Sequence, residues 1–307
     1  MTNSEVFSTM ILVTGEILFD IFPAYKRMGG APFNFAYHMK KLGFPVRFVS
    51  SVGNDDLGGE ILDFLDNHDF NPEDIQIDRN RPTGTVRVDV LGKGEHTFTI
   101  SEDTAYDYID VAPIRQLVSG TNPDLIYFGT LILRTQNNFE LLQDILNRKP
   151  PETISFCDIN LRPDCYTKQT IKASLDAANI LKLNTDELEE LTSGSNVKRS
   201  HAMSARQLMR SHYIETVILT MGEKGSQWFT TNQDHYMGPS KAPLDIADTV
   251  GAGDAYAAMS AAGILKNMQI EEIIPLAAEF ASYVCSIQGA LIQDYAVYRK
   301  FRTKLEK

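Results

Sequence analysis

The sequence predicts an α/β fold: a mostly parallel sheet covered by helices, with a small β flap at its side. Three observations predict it. Short apolar runs ending in glycine or asparagine alternate with stretches of helical periodicity, the order that builds a parallel sheet. One stretch, Thr83 to Ile100, breaks that rhythm with apolar/polar alternation over Val86, Val88 and Val90 around a Gly-Lys-Gly turn, which describes a half-exposed hairpin. No repeat, low-complexity tract or long linker divides the 307 residues, so a single domain over 1–307 is expected.

In chain order, Met10 to Gly15 is a short buried strand ending in a turn. Ala31 to Gly43 follows as a helix, with Phe35, Met39 and Leu42 at helical spacing and Gly43 as its stop. Val46 to Gly53 is a second buried strand, and GGEILDFLDNHD an amphipathic helix. After the hairpin come strands at Asp124 to Gly129, Ile154 to Asn160, Ile180 to Asn184 and Thr216 to Gly222. Helices lie between them, from Phe139 to Asn147, Lys168 to Ala178, Thr185 to Thr192 and Ala202 to Ser211. Gly251 to Leu265 and Glu271 to Gly289 read as two closing helices.

The formal charge of −11 makes the surface acidic, which excludes broad binding to nucleic acid or anionic membrane. It leaves room for an anionic ligand, because a few amides at a helix start hold phosphate locally. Three scattered cysteines, Cys157, Cys165 and Cys285, form neither a disulfide framework nor a zinc site. The start MTNSEVFSTMILVTGE lacks the pattern of a signal peptide, and no apolar run approaches the ~20 residues of a membrane span. A cytoplasmic location is expected.

Four segments could carry chemistry. In ADTVGAGDAYAAMSAAGIL, Gly251, Ala252 and Gly253 are small residues at the mouth of a helix, where free amides and the positive end of the dipole suit a transferring phosphoryl group. Asp254, in the first turn, could take a proton from an attacking hydroxyl. A glycine-rich entry to a core helix would look the same. In GGAPFNFAYHMKKLG, Gly29 and Gly30 permit close approach and Asn34 can meet hydroxyls, or the segment is an ordinary helix start. CDINLRPDCY ends a strand with Asp158, Asn160 and Arg162, where ligands of parallel sheets bind; surface and turn residues are the alternative. In LNTDELEEL, Asn184 and Glu187 make a capping box, and Glu187 could also order water around Mg²⁺.

These segments, in this order and spacing, resemble the ribokinase-like, or phosphofructokinase-B type, sugar kinases across nearly the whole chain. DTVGAGD matches the family's carboxyl-side signature, GGAPFNFA its amino-side signature, VTGEILFD its first strand and following acid, and NTDE its Asn-x-x-Glu motif. GEILFDIFP, PTGTVRVDV, AYDYI, FGTLILR and DINLRP are similar to the fructokinase branch, with Tyr106 where that branch usually has tryptophan.

The resemblance implies a three-layer sandwich and a β lid formed by about 83–101 with about 20–29. It implies ATP as phosphoryl donor to a sugar's primary hydroxyl, with fructose as first choice and ribose, 2-keto-3-deoxygluconate or a nucleoside behind it. Asp254 then stands as base, and Gly251, Ala252 and Gly253 as the anion hole. Asp20, Gly30, Asn34, Tyr106, Asn160 and Arg162 stand at sugar positions, and Asn184, Thr220, Gly222 and Gly225 border ATP, together with Gly251 and Gly253. Glu187 reaches Mg²⁺ through water, and Asp248 matches a ligand of a monovalent cation, usually K⁺. A homodimer through the lid is also implied. A dehydrogenase is excluded because no G-x-G-x-x-G follows the first strand, and a P-loop kinase because no G-x-x-x-x-G-K-[ST] occurs. A non-catalytic sugar- or nucleotide-binding protein on the same fold is the alternative of another class.

Overall fold

The computed structural model describes residues 9–91, 95–193, 199–232, 234–239 and 246–306. Among these, the main sheet has nine strands. At its centre β1 (Ile11–Thr14) lies between β4 (Val46–Gly53) and β8 (Leu125–Phe128), parallel to both. The sheet continues past β4 to β5 (Ile75–Asp78), and past β8 through β9 (Ile154–Asp158) and β10 (Ile180–Asn184) to β11 (Thr216–Thr220), all parallel. Two antiparallel strands, β12 (Ser226–Thr230) and β13 (His235–Gly238), close the far edge.

Strand alternation sorts side chains into two cores. Ile11 and Val13 of β1 face α1 (Ala31–Lys41), α8 (Ala252–Leu265), α9 (Ile270–Cys285) and α10 (Tyr295–Leu305). Leu12, Val49 and Phe128 face the opposite layer, built from α3 (Val111–Thr121), α4 (Gln136–Arg148), α5 (Lys168–Ala177), α6 (Thr185–Thr192) and α7 (His201–His212). The remaining helix, α2 (Asp56–Asp66), is capped by the Asp55 carboxylate, which accepts from Gly58 N at 2.8 Å.

A second sheet of four strands runs in the order β3 (Lys26–Gly29), β2 (Leu18–Ile21), β6 (Gly84–Leu91), β7 (Glu95–Ile100). The turn expected at Gly92 to Gly94 lies outside the described residues. β6 and β7 pair antiparallel, whereas β6 joins β2 in parallel. The hairpin is thus tied to the chain leaving the central strand.

Several elements differ from expectation. The closing helix expected to reach Gly289 ends at Cys285, and a third helix, α10, follows. Asp294 caps α10 through Ala296 N, and Tyr298, Phe301 and Leu305 recur along one buried face. Both signals were present in the sequence. Helix α3, capped by Asp110, and the antiparallel pair β12–β13 were also not anticipated.

Candidate active site

Two helix mouths meet at the carboxyl end of the main sheet. The first is that of α8. Gly251 caps it at φ 79°, a left-handed conformation, and a β-carbon there would stand 2.3 Å from Ala290 Cβ. Glycine is therefore fixed by backbone and packing together. Gly253 is exposed, and the first-turn amides beyond the Ala252 N to Thr249 O bond of 3.3 Å have no intrahelical acceptor. Asp254 sits in that turn and accepts from Asn34 Nδ2 at 2.7 Å. Desolvation lifts its carboxyl to about 6, with Asp158 pushing the same way and Asn34, Lys182 and Arg162 opposing.

The second mouth is that of α1. Gly30 caps it at φ 111°, and a β-carbon there would meet the Glu16 carbonyl at 2.5 Å. Gly29 leaves room for Asp20, whose Oδ2 lies 3.0 Å from where a β-carbon would be. Asp20 is pushed up to about 6 by desolvation, against Arg162 and Arg27. Glu16 was not singled out from the sequence; an acid closing a buried strand was the available signal. It is 3% exposed, and its Oε2 has no hydrogen-bond partner. Desolvation pushes it up to about 7, with its own amide, Arg162 and the amide of Ala31 pulling down and Asp254 adding to the rise. Glu16, Asp20, Arg162 and Asp254 thus share one electrostatic neighbourhood.

The ends of β9 to β11 form the adjoining wall. Asp158 and Lys182 make a buried ion pair with both Nζ–Oδ distances at 2.9 Å. Asn160 follows at φ 42°, and Arg162 is exposed. Asn184 and Thr220 are register partners on adjacent strands. Gly222 (φ 56°) and Gly225 (φ 85°) shape the turn after β11, and nothing lies within 4 Å of the place for a Gly222 side chain. Register and turn therefore put Asn184, Thr220, Gly222 and Gly225 along one stretch of this wall.

Two proposed residues sit differently from the simplest picture. Tyr106 is fully buried, packed against Gly84, with its hydroxyl accepting from Arg134 Nη2 at 3.2 Å. Asp248 is already neutralised: Arg27 Nη1 reaches its Oδ2 at 2.5 Å, Gly289 N donates to the same oxygen at 3.2 Å, and Val250 N donates to Oδ1 at 3.0 Å. Phe22 and Tyr25 flank the guanidinium. A carboxylate so engaged does not fit a ligand of a monovalent cation, because a guanidinium holds the place where that charge would be met.

Glu187 fits only an outer role toward Mg²⁺. Its Oε2 accepts Asn184 N at 2.8 Å and its Oε1 accepts Leu161 N at 3.0 Å. Desolvation raises its carboxyl above the ordinary range, with those two amides and Lys182 opposing and Asp158 reinforcing. Among the described residues no group of three or more metal-binding side chains occurs.

The family described as pfkB family carbohydrate kinase matches residues 22–294. A fructokinase of Rhizobium leguminosarum bv. trifolii is 27% identical over 86% of this chain and 81% of its own length. The 5-dehydro-2-deoxygluconokinase 1 of Bacillus cereus is 22% identical over 85% and 80%. Among solved structures, fructokinase with bound ATP from Xylella fastidiosa superposes with TM-score 0.83 at 20% identity, covering 98% of this chain and all of that one.

Proposed function

The chain belongs to the pfkB family of carbohydrate kinases and is an ATP-dependent sugar kinase with the ribokinase-like fold, and on that premise we propose that it phosphorylates fructose with Asp254 as base. The observation that carries the assignment of the base is the 2.7 Å bond from Asn34 to Asp254 at the uncapped mouth of α8. It joins the two glycine-rich segments across the fold and puts a desolvated carboxylate beside free amides.

In this reading the sugar lies between β2, the mouth of α1 and Arg162. Asp20 and Asn34 meet its hydroxyls, and the turn at Asn160 completes the wall. Asp254 takes the proton of the primary hydroxyl as the oxygen attacks the γ-phosphorus of ATP. The bond to the β-phosphate bridging oxygen breaks, and its electron pair leaves with ADP. The Gly251–Gly253 turn holds the charge of the moving phosphoryl group through amides fixed before the reaction begins. ATP lies along Asn184, Thr220, Gly222 and Gly225. Mg²⁺, carried in with the nucleotide, would supply charge neutralisation, and Glu187 would order its waters. The small sheet, acting as a lid, keeps water from the phosphoryl group.

The choice of a neutral ketose over an acid sugar has physical support. Three carboxylates, Glu16, Asp20 and Asp254, share Arg162 as their common cation, so the wall repels a further carboxylate. Ribose, 2-keto-3-deoxygluconate and nucleosides remain the competing substrates, and a homodimer through the small sheet belongs to the same reading. Sugars assayed with ATP and ranked by kcat/KM should put fructose first. Asp254→Asn should lose turnover by more than about 10³-fold while keeping sugar and nucleotide affinity. A preference for an acid sugar would replace the substrate assignment, and near-normal turnover of Asp254→Asn would remove the base assignment.

A further inference from the structure

The buried pair of Lys182 and Asp158 has no part in the mechanism above, yet it lies directly beneath it. Lys182 is on β10 and Asp158 on the neighbouring β9, paired in register. Their side chains are 7% and 4% exposed. Lys182 Nζ stands 3.5 Å from where a β-carbon on Gly253 would be, so the ammonium lies under the first turn of α8. Tyr127 donates its hydroxyl to Asp158 Oδ2 at 3.2 Å and stacks on Phe35, the neighbour of Asn34, with ring centroids 3.7 Å apart. The pair and the base are therefore held by the same packing.

Burying an ion pair stabilises a fold little and often less than an apolar replacement of the same volume. Its place under the phosphoryl site suggests another use. We propose that Lys182 is a positioning residue for phosphoryl transfer, whose cation offsets Asp158 so that the phosphoryl-holding turn and the base do not face an uncompensated carboxylate beneath them. Without that cation, the negative charge of Asp158 would lie beneath amides that must attract phosphate. The other charged groups around Asp254 are Arg162 and Glu16, and those around the pair are Glu187 and the Tyr127 and Cys157 side chains. The inference rests on the assignment of Asp254 as base.

The test is a two-by-two comparison of Lys182→Met, Asp158→Asn and the double variant, each read by the pH profile of kcat. Asp254 must be ionised to act, so activity falls as pH drops through its pKa. Lys182→Met leaves an extra negative charge and should move the acid limb up by about one pH unit. Asp158→Asn leaves an extra positive charge and should move it down by a similar amount. The double variant, which buries no charge, should fold and return the limb close to wild type. Opposite shifts that cancel are not produced by loss of packing. Unmoved limbs in the soluble single variants, or a double variant shifted as far as either single, would overturn the inference. If a single variant fails to fold, the double variant and the product affinity decide. ADP should bind at least ~10-fold more weakly to Lys182→Met or to Lys182→Gln, and at near-wild-type strength to the double. Unchanged ADP affinity in whichever charge-losing variant folds would overturn it equally. Asp254→Asn serves as the control: if it stays active, the base assignment has failed, whereas if it is inactive while the limbs do not move, only the role of Lys182 has.

Discussion

The mouths of α1 and α8 look alike and are walled differently. Each begins at a glycine with positive φ and lacks a side-chain cap. At α1 the opening is closed by the chain itself. The Glu16 carbonyl sits against Gly30, Pro32 packs where a Gly15 side chain would be, and the Glu16 carboxyl faces the Ala31 amide. At α8 the nearest wall is Ala290, behind Gly251, and the side facing the site stays open with Gly253 exposed. A helix start answered by an internal acid fixes geometry, whereas one left unanswered can take a phosphate. The difference teaches that glycine-rich entry is a local property, whereas whether a helix mouth is left open to an anion is a tertiary one.

The largest effect that should separate the two mouths comes from Gly251→Ala. Strain at φ 79° and collision with Ala290 displace the amides, so kcat should fall by about 10²-fold or more. Gly30→Ala meets an equally short contact but should chiefly raise the sugar KM and cost about 1–3 kcal/mol in unfolding free energy. Steady-state kinetics with chemical denaturation of both variants checks this, and an equal loss of kcat would break the distinction.

Next in size is Asn34→Ala, the bridge between the mouths. Loss of its bond removes a contribution that keeps Asp254 ionised, so the acid limb of kcat, near pH 6 in the wild type, should rise by about one unit. At saturating sugar the variant should lose several-fold more kcat at pH 6 than at pH 8, and its sugar KM should rise at both.

A smaller effect concerns stability. Glu16 has a folded pKa of about 7 against an ordinary value of 4.5, so its contribution is full below 4.5 and is lost as pH rises through 7. Glu16→Gln should therefore melt higher than wild type at pH 8, by a few °C, with the gain vanishing toward pH 4.5. Thermal melts across that range check the sign.

The smallest expected effect is the replacement of KCl by choline chloride at constant ionic strength. Arg27 already holds Asp248, so turnover should not change. Strong activation by K⁺ would show that the guanidinium does not serve in place of the ion.

Much of the fold was legible because it is periodic. The apolar runs at Val46–Gly53 and Ile180–Asn184 are strands over the whole predicted length, and Thr185–Thr192 is a helix end to end. Short or edge elements were harder: β2 and β3 have four residues each, too few for a period to show. At the site, glycines and acids in special spacing could be found. Pairings could not, since Asn34 and Asp254 are 220 residues apart and Arg27 and Asp248 are 221 apart. Glu16 was missed because an acid closing a buried strand does not by itself say that its carboxyl is cut off from water.

By itself the sequence determined the alternation of strands and helices, the glycine-led helix starts and the stock of acids, because each depends on residues within a turn or two of one another. Only the tertiary structure decided which helix mouth stays open, which carboxylates lose water and which cation answers each. Desolvation and Coulomb forces act through space, between groups that the chain brings together only once it has folded.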